Sequence, residues 1–338
     1  MLSQLSNDVR QYLIVTGNYW CFTLTDGALR MLVVLYFYEL GYGALDIALL
    51  FLFYEAFGVV TNLLGGWLGA RWGLNRTMNI GLGLQIIALG MLLAPTDWLT
   101  IVWVMIAQAL SGIAKDLNKM SAKSAIKVLV PKGESGQLYQ WVALLTGSKN
   151  ALKGIGFFLG GLLLTTVGFH QAILIMTLAL GAVWLFSLWK LGNDLGKASN
   201  KPKFSEIFSK SPEVNILSAA RLFLFGARDV WFVVALPVYL SSQFGWDHWS
   251  VGGFLALWVI GYGIVQSLAP HITGKRNNQI PSAKIVTLWA LALTTLPAAI
   301  AIGLQLAFYP LIVLLGGLIL FGAVFAINSS LHSYLIVQ

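Results

Sequence analysis

The chain has 338 residues, of which 58% are hydrophobic and only 10% are charged, and its mean hydropathy is +0.78. These values exclude an ordinary soluble domain and indicate a multi-pass membrane protein in a lipid bilayer. The formal net charge is +8, but the basic residues that lie in loops all fall on one side of the predicted membrane, so we expect no nucleic-acid partner. The single cysteine excludes an intrachain disulfide.

The apolar segments predict an all-α membrane protein. A membrane-spanning helix needs about 20 mainly apolar residues, and about ten such segments follow one another along the chain. They lie near residues 12–38, 46–70, 78–95, 98–122, 138–164, 171–189, 214–240, 249–270, 284–304 and 308–330.

The first two predicted helices contain candidate proton-coupling carboxylates. Asp26 and Arg30 are four residues apart, so they share a helix face and can pair, in a structural or a functional role. Glu55 has no basic residue four positions away. A buried carboxylate can take up a proton, so Asp26 and Glu55 are the candidates for proton coupling. A hydrogen-bonded structural role is the alternative for Glu55.

The fourth predicted helix ends in a ladder of lysines at four-residue spacing. Lys123 and Lys127 lie near the cytoplasmic end and are expected to reach the membrane surface by snorkelling. Lys115 and Lys119 lie deeper in the same helix. We therefore expect these two to form a basic entrance to a substrate path.

The fifth predicted helix contains Lys149 and Lys153 in the apolar stretch GSKNALKGIGFFLGGLLL. At about 1.5 Å per residue, Lys149 lies about 17 Å from the cytoplasmic end, near the middle of a hydrocarbon core about 30 Å thick. A cation in hydrocarbon is costly, so such residues normally face a bundle interior or a water-filled cavity. Arg228 reaches a similar depth in the seventh predicted helix. Together with Arg30, these cations predict an anionic cargo, because arginine is suited to bidentate contacts with oxyanions.

The polar, basic segment 191–213 predicts a cytoplasmic linker. It would join an N-terminal bundle of about six helices, residues 1–190, to a C-terminal bundle of about four, residues 214–338. LVVLYFYELGYGALD (32–46) resembles FVVALPVYLSSQFGWD (232–247), which indicates the internal repeat that is usual in secondary transporters. Because the second half ends earlier than the first, we expect about two C-terminal helices to be missing from this sequence. A natural ten-helix protein is the alternative.

Loop charges predict the orientation of the chain. Lys and Arg occur only in the loops on the side of the N-terminus, and the opposite loops contain acidic residues instead. The positive-inside rule therefore places both termini in the cytoplasm. No phosphate-cradling, serine-hydrolase or zinc-protease motif is present, and the four histidines lack metal-ligand spacing. We expect a protein without enzyme activity, cofactor or metal.

The segment GGWLGARWGLNR (65–76) resembles the loop motif of the major facilitator superfamily. Gly66, Gly73 and Arg76 match the motif, whereas Ala70 stands where an acidic residue is usual. Four glycines of the fifth predicted helix also fit the superfamily's antiporter motif, in which Phe157 replaces a proline. These four are Gly147, Gly156, Gly160 and Gly161.

Longer strings are more specific. TGNYWCFTLTDGALRMLVVLYFY, SGIAKDLNKMSAKSAIK, LLTGSKNALKG and SAARLFLFGARDVWFVVALPVYLSS resemble the ArsJ family of organoarsenical efflux permeases, over essentially the whole chain. The resemblance implies a major facilitator fold of twelve helices in a bacterial inner membrane. It also implies export of 1-arseno-3-phosphoglycerate, made by a glyceraldehyde-3-phosphate dehydrogenase that uses arsenate in place of phosphate. Export would then confer arsenate resistance.

The predicted function is therefore secondary active export of a small organic anion by alternating access. The predicted alternatives are export of another phosphorylated or carboxylated metabolite and, in a different class, a non-transporting membrane receptor or scaffold. Six cations are predicted to hold the substrate oxyanions: Arg30, Lys115, Lys119, Lys149, Lys153 and Arg228.

Overall fold

The computed structural model describes residues 7–130, 135–192, 211–229, 236–246, 248–273, 282–306 and 309–337. Within these ranges every regular element is helical, which confirms the predicted all-α class. The α-helices are α1 (Asn7–Glu39), α2 (Ala44–Leu50), α3 (Leu52–Trp72), α4 (Leu74–Met91), α5 (Ile101–Leu129), α6 (Ser135–Val167), α7 (Phe169–Lys190), α8 (Pro212–Asp229), α9 (Leu236–Phe244), α10 (His248–Thr273), α11 (Ala283–Gln305) and α12 (Pro310–Val337).

Each predicted span coincides with one helix or with a pair of helices. The second span is divided into α2 and α3 at Phe51, and the seventh corresponds to α8 and α9. In the described part of the chain, seven helices are long and apolar enough to cross a membrane. The multi-pass membrane architecture that the sequence predicts is thus present.

The turn between α3 and α4 consists of one glycine. Gly73 ends α3 and precedes α4, with φ +93°, and its N–H donates to the carbonyl of Gly69 at 2.9 Å. A side chain with a Cβ rarely adopts this region of φ, so the position favours glycine. This gives a physical reason for one glycine of the loop motif at 65–76.

The chain divides into two compact units. The first unit comprises Met1–Pro131 and Leu152–Phe208, and the second comprises Lys132–Ala151 and Ser209–Gln338. Helix α6 therefore contributes its first half to the second unit and its second half to the first. Most of the predicted linker at 191–213 lies outside the described residues.

In the first unit, α5 packs against α1, α3 and α4, and α4 also packs against α7. A chain of polar groups joins three of these helices: Asn18 of α1 donates to Ser187 of α7 at 2.8 Å, and Ser187 donates to Asn79 of α4. Helices in a bilayer associate through close packing and interhelical hydrogen bonds. These contacts hold α1 in the position from which its charged residues face α3 and α5.

In the second unit, α12 packs against α10 and α11. Trp258 of α10 donates to the carbonyl of Leu318 at 2.8 Å. A second link runs from Asn150 of α6 to Gln266 of α10 at 2.6 Å, and from Gln266 to Ser329 of α12 at 2.9 Å. This amide and hydroxyl network fixes the helix turn that contains Lys149.

Candidate functional site

Six charged side chains of α1, α3 and α5 meet in the first unit. Glu55 lies at the centre: its Oε1 is 2.9 Å from Arg30 Nη2, and its Oε2 is 3.6 Å from Lys115 Nζ. One carboxylate therefore holds two cations from two different helices. We call this group the charge cluster, and its members are Asp26, Arg30, Glu55, Lys115, Asp116 and Lys119.

The second carboxylate of the cluster is buried. Asp116 Oδ1 is 2.9 Å from Lys119 Nζ, and its Oδ2 is 3.8 Å from Lys115 Nζ. Only 5% of the Asp116 side chain is exposed. Lys115 is thus shared between Glu55 and Asp116, whereas Lys119 is paired with Asp116.

Tyr54 connects the third carboxylate to the cluster. Its hydroxyl donates to Asp26 Oδ1 at 2.8 Å and lies 3.0 Å from Oδ2. The Arg30 guanidinium and the Lys115 ammonium lie over the Tyr54 ring, 4.6 and 4.1 Å from its centroid. Cation–π contacts contribute about 0.5–1 kcal/mol at exposed sites and about 2 kcal/mol or more where the cation is desolvated, and these two cations lie between those cases. Sequence reasoning missed Tyr54, because a tyrosine in an apolar segment is usually a packing residue.

The pairing differs from what helical spacing suggests. Arg30 pairs with Glu55 of α3 and not with Asp26, four residues away on its own helix. Glu55 does have basic partners, but they come from α1 and α5. A search for partners on the same helix cannot find contacts between helices.

Two glycines set the distances between α3 and α5. A Cβ added to Gly112 would overlap the backbone carbonyl of Tyr54, so α5 and α3 touch at this point. A Cβ added to Gly58 would lie 2.9 Å from Asp116 Oδ2 and 3.4 Å from Lys115 Nζ. The missing side chains therefore provide the space in which the charged groups of α5 meet α3.

Lys153 lies beside the cluster, on α6. Its backbone carbonyl would be 2.8 Å from a Cβ at Gly27, the neighbour of Asp26. Its ammonium is 5.8 Å from the centroid of the Phe157 ring. Of the eight predicted site residues, the first unit thus brings Lys153 together with Asp26, Arg30, Glu55, Lys115 and Lys119.

The other two predicted cations belong to the second unit. Lys149 lies in the first half of α6, next to the amide of Asn150 that donates to Gln266. Arg228 lies in α8, and its side chain is outside the described part of the structure. Their part in a binding site stays a prediction.

The glycines of α6 have different neighbours. Gly156 lies against α1, where a Cβ would be 2.6 Å from the Leu24 carbonyl, and a Cβ at Gly160 would overlap the Ala28 carbonyl. Gly147 lies equally close to α10 in the second unit. At Gly161 a Cβ would make only an ordinary contact, 3.8 Å from Leu35.

Polar atoms without a hydrogen-bond partner in the described part of the chain lie in the charge cluster and in the turns of α5 that precede it. Within the described residues, Arg30 Nε is buried without a hydrogen-bond partner, as are Gln108 Nε2 and Ser111 Oγ on α5. Ser111 and Gln108 precede Lys115 by one and two helical turns, on the same face. Buried polar atoms are nearly always satisfied by protein, water or ligand. These atoms therefore leave hydrogen-bonding capacity for water or a bound anion.

Long apolar helices and a charge cluster inside them define a multi-pass membrane transporter. The sequence model of the Major Facilitator Superfamily matches residues 15–338. The chain belongs to this superfamily. The resemblance of the loop motif at 65–76 predicts the same superfamily.

Solved structures show the same fold. The crystal structure of the human organic anion transporter MFSD10 (TETRAN) superposes with a TM-score of 0.70 at 16% identity, covering 98% of this chain and 86% of that one. A bacterial homologue of the iron transporter ferroportin, in an outward-facing state, superposes with a TM-score of 0.67 at 17% identity, covering 97% and 84%. No curated protein matches the chain. Among the described residues, no group of three or more His, Cys, Asp and Glu is placed to hold a metal ion.

Proposed function

We propose that this protein is a secondary active exporter of an organoarsenical anion, 1-arseno-3-phosphoglycerate, and confers arsenate resistance. The observation behind an anionic cargo is the charge cluster. Arg30 and Lys115 lie on the packed helices α1 and α5, side by side over one tyrosine ring, and the buried Nε of Arg30 has no partner within the described residues. Intramembrane cations of this kind mark substrate pathways.

The choice of cargo is supported by the sequence strings shared with the ArsJ family. A molecule with a phosphate and an arsenate ester has several oxyanion charges, and a site for it needs several cations. The likeness in fold to a protein named as an organic anion transporter agrees with an anionic cargo.

In this proposal the six predicted cations hold the oxyanions of the cargo, and Asp26 or Glu55 takes up the coupling proton. The bundles 1–190 and 214–338, joined by the linker 191–213, move against each other in alternating access. Phosphate and arsenate esters suit Arg30 and Arg228, because a guanidinium forms paired hydrogen bonds with tetrahedral oxyanions.

We also propose a bacterial inner-membrane location with both termini in the cytoplasm, in agreement with the loop charges. Reporter fusions at Gly43 and at Gly192 measure this orientation. The proposal requires an external reporter at the first position and a cytoplasmic reporter at the second.

Dehydrogenase-dependent resistance tests the function. Arsenate-sensitive cells would express this chain alone, a glyceraldehyde-3-phosphate dehydrogenase alone, or both. Resistance is expected only with both, because the enzyme supplies the cargo. Resistance without added or endogenous dehydrogenase, or none with both, would contradict the arsenical cargo.

Flux measurements separate the alternatives. Everted vesicles that accumulate other phosphorylated or carboxylated metabolites, but give no resistance, would favour export of a different anion. A receptor or scaffold would show no flux of any of these anions and would tolerate neutral residues at Arg30 and Lys115.

A further inference from the structure

We propose that Glu55 is a built-in competitor of the cargo: its carboxylate occupies the anion site formed by Arg30 and Lys115, and the transported anion displaces it. This inference rests on the proposed export of an anion and specifies how the site is regulated. Its basis is the bridging geometry, in which the two oxygens of Glu55 lie 2.9 and 3.6 Å from the two cations. A cargo phosphate or arsenate presents the same charged oxygens to the same donors.

The exposure of the three side chains shows which of them can leave. The Glu55 side chain is 61% exposed, whereas Arg30 and Lys115 are 28% and 23% exposed. Ionisable groups within spanning helices almost always face the bundle interior or a water-filled cavity. Glu55 can therefore rotate into water while the cations stay in place over the Tyr54 ring.

The surrounding backbone favours a movement of the side chain alone. Tyr54, next to Glu55, is 1% exposed and is hydrogen-bonded to Asp26. Its carbonyl is in contact with Gly112 of α5. Because α3 is fixed at this turn, the release of Glu55 needs only a rotamer change, which is fast compared with transport.

The net charge of the cluster depends on whether Glu55 is in place. The carboxylates of Asp26, Glu55 and Asp116 match the formal charges of three cluster cations: Arg30, Lys115 and Lys119. When Glu55 leaves, the remaining pocket has a net positive charge and attracts the cargo. When Glu55 returns, it neutralises Arg30 and Lys115 and promotes release of the anion. Glu55 thus keeps the site from holding its cargo too tightly.

Glu55→Gln tests the competition on the full-length protein in lipid nanodiscs. The probe is 3-phosphoglycerate, a stable phosphorylated anion, and its affinity is measured by calorimetry. We expect the variant to bind about tenfold more tightly, a typical size for coupling between two sites. In everted vesicles the same variant should show a lower KM and a lower maximal rate, because release is slowed.

Asp97→Asn is the matched control, since Asp97 is exposed in the short turn Thr96–Trp98 and its loss changes the net charge equally. Glu55→Asp is the second variant: it keeps the charge, but its side chain is too short to reach both cations, so a smaller gain in affinity is expected. If well-folded Glu55→Gln binds the probe no more tightly than wild type does, the competition is wrong. If Arg30→Ala at the same time loses the binding that wild type shows, the anion site itself is still supported. If neither wild type nor Glu55→Gln binds the probe, the anion site itself is wrong, and the competition falls with it.

Discussion

At the scale of single residues, the hydrogen bonds from Tyr54 stabilise the buried Asp26 carboxylate inside the first unit. Asp26 is 5% exposed, and both of its oxygens lie within hydrogen-bonding distance of the Tyr54 hydroxyl. A buried charge without hydrogen bonds is strongly destabilising. Glu55, by contrast, is exposed and has two cationic partners. Of the two proton-coupling candidates, Asp26 is therefore the one whose hydrogen-bond donor is a neutral hydroxyl.

Tyr54→Phe should destabilise the protein by about 1–3 kcal/mol, because it leaves the Asp26 carboxylate without its donor. Asp26→Asn in the same chain should recover part of this loss, since a neutral amide costs less to bury than a carboxylate. Thermal unfolding of the purified protein measures both effects in a double-mutant cycle. Tyr38→Phe is the control: Tyr38 lies on α1, the helix of Asp26, is 62% exposed, and its substitution should change little. Strict additivity of the two cluster substitutions would show that Tyr54 does not support Asp26.

At the scale of helices, the glycines of α6 determine how closely that helix approaches its neighbours. Gly156 and Gly160 are one turn apart and lie against the backbone of α1 between Leu24 and Ala28. Such contacts between small residues are a common basis of helix association in membranes. The crossing brings the Lys153 backbone against Gly27 and so places Lys153 beside the charge cluster.

Gly160→Ala should therefore force α1 and α6 apart. Overpacking of this kind typically costs about 1–3 kcal/mol, and the displacement of Lys153 should also reduce transport. The adjacent Gly161→Ala is the matched control on the same helix, where a Cβ makes only a 3.8 Å contact. Thermal stability in detergent and vesicle flux are the two measurements. Equal behaviour of the two variants would contradict the close crossing of α1 and α6.

The helices could be predicted from the sequence, whereas the contacts between them could not. Apolar length alone located the helical segments, and within the described residues seven of the helices are long and apolar enough to cross a membrane. The four-residue spacing of Lys115 and Lys119 likewise showed that these two lysines share one face of α5. The bridging by Glu55 and the donor role of Tyr54 depend on which helices are neighbours. That information resides in the packing of glycines such as Gly112 and Gly58, whose function in a glycine-rich membrane protein is not visible from sequence spacing.

At the scale of the whole molecule, predicted anion-binding residues occur in both compact units. The first unit contains the charge cluster and Lys153, and the second contains Lys149 and Arg228. Lys149 is 14 residues from the start of the 33-residue α6, and Lys153 is 14 residues from its end, so the two lysines flank the middle of the helix. In secondary transporters the substrate site lies near the membrane midplane and is built from both repeats. The proposed function therefore predicts that Lys149 and Arg228 contribute to transport, as Arg30 and Lys115 do.

Lys149→Ala and Arg228→Ala should each abolish arsenate resistance in cells that contain the dehydrogenase, while the amount of protein in the membrane stays normal. The physical reason is that loss of one cation from a low-dielectric site leaves an oxyanion of the cargo without its partner, which costs far more than the loss of a surface charge. Lys284→Ala is the control, because Lys284 is exposed at the start of α11 and its substitution removes the same charge. Growth in arsenate and immunoblots of membrane fractions measure the two quantities. Full resistance in both Lys149→Ala and Arg228→Ala would confine the anion site to the first unit, with Arg30 and Lys115 as its principal cations.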